Sequence, residues 1–217
     1  MEILKSDIVG QIRTAIDDIV PTAADSFKSD TDGELWQAVQ HAVTALLTEL
    51  PATLLEPEQQ ESPTVHTNND GSGYIELADG FLRFIALQLS TWPGAVYELI
   101  EPGSDEEKRQ RTRWGRGTPD KPRAMLDHDA EGADILRYWT AGKNSGTYDH
   151  TISTLLYISV PEVEDVTDTV DNVASVVDQK ITCDLKEAAL PMVIYRSAAI
   201  FFEGKKEPET AEKFRNI

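Results

Sequence analysis

Only one cysteine, Cys183, occurs in this chain, so no internal disulfide can staple the fold and stability has to come from packing or assembly. That usage fits synthesis in a reducing cytosol. Long apolar runs are missing too, since no segment approaches 18 uninterrupted apolar residues. The N-terminal MEILKSDIVGQIRTAIDDIV has neither the basic start nor the continuous apolar stretch of a signal peptide, which predicts a soluble, non-secreted protein with no membrane partner. Positive charge is scarce. Twenty Lys and Arg face thirty-eight Asp and Glu, for a formal net charge of −18, so the surface as a whole repels a phosphate backbone or an anionic bilayer.

Signatures of chemistry are also lacking. There is no paired CxxC or HExxH for a metal, no GxSxG for a nucleophile, and no GxxxxGK[ST] or GxGxxG for a nucleotide. The run DVTDTVDNV has acids every third residue but no DxDxDG loop and no Glu at the twelfth position, so it does not read as a calcium site. His128 in LDHDAEG and His150 in YDHT lie beside acids, which chance alone provides among thirty-eight of them, and they read as solvated turn residues. The chain is expected to have no catalytic residue, no metal and no cofactor.

What is present is an ordinary globular composition, 40% apolar and 27% charged, in 217 residues, enough for one generous domain or two small ones. Ser6 is placed to cap a first helix with Ile8, Val9, Ile12, Ala15, Ile16 and Ile19 on one face, ended by Pro21. Asp32 is placed to cap a second, with Leu35, Trp36, Val39, Ala42, Val43, Leu46, Leu47 and Leu50 at three- and four-residue steps before Pro51. The polar EPEQQESP at 56–63 breaks the helical pattern. Strands are predicted at 65–67, 73–77, 81–89, 95–100, 123–126, 135–140 and 153–160, the first two as a hairpin around NNDGS. Ser104 with Glu107 three residues on has capping-box spacing for a short helix. Residues 162–180 are acidic and β-branched with little bulk and read as a loop. A third long helical pattern begins at Asp184 and stops at Gly204; Pro191 inside it predicts a kink or a late start. Pro208 opens a last short helix.

The expected fold class is α+β, a helical bundle formed from the N- and C-terminal helices with an inserted β-rich lobe. Its parts are N-terminal helices at 1–55, a β-rich lobe at 56–160, an acidic loop or arm at 161–183, and C-terminal helices at 184–217.

One stretch reverses the charge of its surroundings. KRQRTRWGRGTPDKPR at 108–123 holds seven of the twenty bases and one acid, Asp120, for a local charge of +6, while the other 201 residues carry −24. Its glycines let the backbone bend. The plain reading is a solvated loop balanced by Glu101, Asp105, Glu106 and Glu107. The functional reading is a contact surface, because guanidinium groups pair with carboxylates and stack on indole, and Trp with Arg dominates interface hot spots. Arg109, Arg111, Arg113, Trp114, Arg116, Lys121 and Arg123 are the candidate interface residues. A nucleic-acid site is the alternative, since bases and phosphates use the same groups. Of the other tryptophans, Trp36 and Trp139 read as core and Trp92 sits in a turn before Pro93.

Two N-terminal helices, GYIELADGFLRFIALQLSTWPGAVYELIEP, RQRTRWGRGTPDKPRAML, the strands DILRYWTAG and STLLYISVP, and ITCDLKEAALPMVIYRSAAIFFEG follow in an order that resembles the head–tail connector adaptor proteins of tailed bacteriophages, including the ring proteins of short-tailed gut phages. The GxIxLADGFLRF and RxTRGTP-like segments carry most of the likeness. The resemblance implies a virion protein at the head–tail junction, made in the host bacterial cytoplasm. It would form a homo-oligomeric ring of twelve copies beneath the portal protein, docking the next tail or ring component. Genomic DNA would pass through its channel without sequence-specific binding. It implies no catalytic residues, and a portal-facing C-terminal segment, here Lys213, Phe214 and Arg215.

Overall fold

The computed structural model describes residues 1–20, 31–68, 70–112, 114–140, 150–170 and 173–216, with the backbone alone for 168–170 and 173–175. The chain divides into two compact units, one from Met1–Glu56 with Ser159–Ile217 and one from Pro57–Ile158. Among the described residues there are five α-helices and three sheets, an α+β fold.

The discontinuous unit opens with strand β1 (Glu2–Leu4), which passes directly into helix α1 (Lys5–Ile19). Ser6 is therefore inside the first turn and Leu4 holds the cap position. The Ser6 side chain does something else. Its hydroxyl and backbone N–H both donate to one carboxylate oxygen of Asp178, at 2.6 and 3.4 Å. That carboxyl lies below the usual carboxylate range, first through the Ser6 hydroxyl. An acid from a neighbouring strand thus supplies the negative group that a helix N-terminus favours. In helix α2 (Asp32–Glu49) the cap position belongs to Thr31, and Asp32 instead pairs with Arg13 of α1.

The apolar spacing of α1 and α2 buries Ile8, Val9, Ile12 and Ile16 on one and Leu35, Trp36, Val39, Ala42, Val43, Leu46 and Leu47 on the other. The C-terminal helices are α4 (Leu190–Gly204) and α5 (Pro208–Arg215). Helix α4 packs against α1, α2 and α5. Of the two outcomes open at Pro191, the late start is the one observed, because proline tolerates the first turn of a helix but not its interior. Gly204 is the last helical residue; the left-handed turn that follows is taken by Lys206, at φ 62°. Ser197 is buried and returns its hydroxyl to Val193 O at 2.6 Å.

The acidic stretch read as a loop is a long hairpin, β9 (Glu162–Val170) and β10 (Val173–Thr182), with a register shift between Val176 and Asp178. Strand β1 pairs with β10, giving the sheet order β1-β10-β9. The hairpin was missed because its described side chains are mostly exposed, so no alternating buried face marks it. This sheet also means that the unit is not an all-helical bundle.

The second unit holds β2 (Glu58–Gln59), β3 (Val65–Thr67), β4 (Ser72–Glu76), β5 (Phe81–Leu89), α3 (Asp105–Gln110), β6 (Arg123–His128), β7 (Asp134–Trp139) and all but the last residue of β8 (Ile152–Ser159). Strand β8 lies between β2 and β5, and the other sheet runs β3-β4-β7-β6. Ile75, Phe84, Leu87, Leu136, Tyr138 and Leu155 from both sheets, with Trp92 from the turn after β5, share one core. Trp92 is buried there and donates its indole N–H to Thr140 Oγ1 at 2.8 Å. The strand expected at 95–100 is reduced to one bridge, Leu87 with Val96. Beyond it the chain leaves β5, exposes Tyr97, and gives the Ile100 N–H to Ala124 O at 2.8 Å.

Phe214 of α5 is buried and stacks on Phe202 of α4 with ring centroids 5.5 Å apart, which fastens the last helix to the unit. Phe214→Ala should lower unfolding stability by about 3–5 kcal/mol in chemical denaturation, the usual cost of removing a buried phenylalanine ring.

Candidate functional site

The basic loop begins at a helix that the sequence caps with care. Ser104 accepts the Glu107 N–H on its hydroxyl at 3.2 Å, while the Glu107 carboxylate reaches back to the N–H of Gly103 at 2.7 Å. The box closes one residue earlier than the usual motif, on Gly103 at φ 80°. The Gly103 N–H, and then Arg111, hold the Glu107 carboxyl below its ordinary range. Asp105, Glu106 and Glu107 fill the first turn of α3 and meet its positive end.

Those acids also neutralise much of the loop. Lys108 pairs with Asp105 at 2.9 Å, Arg111 with Glu107 at 2.8 Å, and Arg123 on β6 with Glu106 at 2.9 Å. These are exposed or half-exposed pairs, each worth roughly 0–1 kcal/mol. Their larger effect is to remove cations from the surface field.

Arg116 is committed further. Its Nε donates to Gln110 O at 3.1 Å, and its Nη1 donates to the Asp70 carbonyl at 3.0 Å and carboxylate at 2.8 Å. Gln110, only 2% exposed, accepts the Gly117 N–H at 2.8 Å and donates to Glu106 O at 3.2 Å. Gly117 is itself buried, and a Cβ there would stand 2.8 Å from Trp139 O, so the glycine is required by close approach. Thr118 and Lys121 exchange backbone hydrogen bonds at 3.1 and 2.9 Å and close the turn. The loop is therefore a braced structure, tied at one end to α3 and at the other to the β3–β4 turn. Asp70 and Gln110 were missed in the sequence; neither has a motif, and only the fold brings them to Arg116.

On this frame Trp114 is 95% exposed. A tryptophan buries 150–250 Å² when covered, so this ring holds roughly 4–6 kcal/mol of gross apolar transfer free energy in reserve. Arg109 and Lys121 are exposed and make no ion pair among the described residues. Arg113 lies outside the described residues. Of the seven candidate residues, Arg111, Arg116 and Arg123 thus have intramolecular partners, and Trp114, Arg109 and Lys121 are left outward.

The C-terminal candidates separate in the same way. Phe214 is core and not available to a partner, Arg215 pairs with Glu203, and Lys213 is exposed. The histidines beside acids are engaged locally: His128 with Asp134 at 2.7 Å, and His150 with the Tyr138 hydroxyl at 2.6 Å. Burial raises the Tyr138 phenol well above its ordinary range, and burial likewise raises the Cys183 thiol. Among the described residues no cluster of three His, Cys, Asp or Glu could hold a metal ion, and no helix is long and apolar enough to cross a membrane. No protein-family model matches the chain, and a search of curated proteins gives no match.

Gln110→Ala would leave the buried Gly117 N–H unpaired, with an expected loss of about 1–3 kcal/mol in chemical denaturation and faster amide exchange across 110–118. For Asp70, desolvation alone would raise the carboxyl, but the Ser72 hydroxyl and N–H and the Arg116 guanidinium together hold it below its ordinary value. A depressed folded-state pKa adds stability that is complete above the unfolded value of about 3.9 and lost as pH falls through the folded one. Wild type should therefore exceed D70N in thermal stability at neutral pH, and the gap should close on acidification below pH ~4.

Proposed function

We propose that this chain is a non-enzymatic structural protein of a tailed-phage virion, a subunit of the connector ring that extends the DNA channel between portal and tail. The observation that carries the reading is Trp114, an indole held in water on a loop that internal hydrogen bonds keep in shape. A large aromatic on a pre-shaped loop contacts a partner without first having to order it. Arg109 and Lys121, exposed on the same basic stretch, supply charge that acidic neighbours would attract. The order of sequence segments, like that of the connector adaptors, supports the same reading, as does a net charge of −18 that keeps passing DNA from adhering. A protein partner is favoured over nucleic acid because Lys108, Arg111, Arg116 and Arg123 are already paired with carboxylates.

The proposed assembly is a closed ring of twelve copies at the head–tail junction, bound to the portal on one side and to the next tail or ring component on the other. Replacing Arg109, Trp114 and Lys121 together with alanine should leave the far-ultraviolet circular dichroism spectrum and the melting temperature unchanged while excluding the protein from tailed particles. Infectious particles containing the triple variant at the normal level would overturn the loop's role.

A further inference from the structure

A groove lies between the first turns of α1 and α2 and the bulge of β10. It encloses about 600 Å³ and is lined by Val9, Val176 and Val177, with Lys5, Asp32 and Asp178 around them. Val176 and Val177 are 58% and 60% exposed, two adjacent apolar side chains left in water where the register of the hairpin shifts. A bulge re-aims side chains and interrupts pairing, so these valines are displaced from the regular alternation of the strand. Both lie in the unit built from Met1–Glu56 and Ser159–Ile217, which carries twenty-two acids against ten bases, a charge of −12. The hairpin Glu162–Thr182 alone has six acids against the single base Lys180.

We infer that the groove is the docking site for the Trp114 loop of a second copy of this chain. The contact rests on the connector reading above and names the surface that the loop meets. Trp114 would enter between Val176, Val177 and Val9, while Arg109 and Lys121 approach the acidic hairpin. Lys5 is offset within the groove by Asp178, whose carboxylate is held in the ionised form first by the Ser6 hydroxyl and also by the Lys5 charge. The occupant is a copy of the chain because the molecule supplies both halves. Among the described residues the most exposed aromatic side chain sits within the basic island, and the paired exposed valines sit on the acidic hairpin. Loop and groove are different surfaces, so the contact is heterologous: each copy offers one loop and one groove, and association continues copy to copy until the rotation closes. Charge of opposite sign steers the two surfaces together, and apolar burial at the centre sets how long they remain.

The test uses the full chain in four samples followed by sedimentation velocity: wild type, W114A, V176D/V177D, and an equimolar mixture of the two variants. Both substituted positions are exposed, so the fold should persist, which circular dichroism checks. Wild type should form concentration-dependent oligomers that weaken with added salt, and each variant alone should associate at least about thirtyfold more weakly, the loss expected for a central tryptophan anchor. The mixture should form a one-to-one dimer and stop there, because the intact loop of V176D/V177D fits the intact groove of W114A while the remaining loop and groove are both defective. Wild type that stays monomeric at every concentration, or a mixture that stays monomeric while wild type assembles, would overturn the contact. Oligomers that form equally well in both variants would do the same and leave the connector reading standing, since that reading is decided separately by incorporation into particles.

Discussion

The loop depends on the Arg116 guanidinium more than on any other group. It reaches the carbonyl that ends α3 and both the carbonyl and carboxylate of Asp70, so one planar cation joins two parts of the chain forty-six residues apart. Lysine would not replace it, because a point charge cannot present donors in several fixed directions at once. With Arg116 in place, Gln110 receives the Gly117 N–H and the glycine fits against Trp139. The exposed indole two residues before Arg116 then has a defined position. An arginine expected from sequence to make an interface contact is thus the one that gives the loop its shape.

The charge imbalance has a corresponding structural logic. Seven bases within sixteen residues would repel one another strongly in isolation. The acids of α3 lie directly before them in the chain and take up Lys108, Arg111 and Arg123, so the loop's formal +6 is much reduced at the surface. What remains outward is Trp114 together with Arg109 and Lys121, which make no ion pair among the described residues. Such a surface suits recognition of a particular acidic protein face better than general attraction to a phosphate backbone, whose affinity grows with the number of free cations.

The sequence was most legible where one side of an element is buried. The apolar spacing of α1 and α2 and the long apolar run of β5 gave those elements directly, since burial writes its period into the residues. The capping box at Ser104 was equally readable because it is local. Legibility failed where partners come from far along the chain. Ser6 looked like a cap, yet β1 runs unbroken into the helix and Asp178, on a strand not recognised, meets it. The described side chains of the hairpin carrying Asp178 are mostly exposed and left no period to detect. In AVYELI only Val96 joins the strand ladder, because the apolar letters there serve a bend and not a sheet face. Within the candidate site, composition located the loop and singled out Trp114, but which arginines point outward depended on Asp70 and Glu106, whose proximity is a product of the fold.

The hairpin poses the opposite problem to the loop. Among the described residues strand β9 forms one edge of its sheet and pairs only with β10, so its outer backbone groups are a template on which another strand could add. Glu162, Glu164 and Asp165 along that edge discourage indiscriminate pairing by repelling other acidic strands, including those of identical chains. Against such a background two adjacent exposed valines at a bulge cannot be explained as core or as edge protection. Surface acids already provide solubility, and a polar residue at either position would keep the strand conformation while exposing less apolar area. The proposed docking would cover them, and a partner compatible with the surrounding acids would bring positive charge along with its apolar group. The Trp114 loop meets both requirements at once.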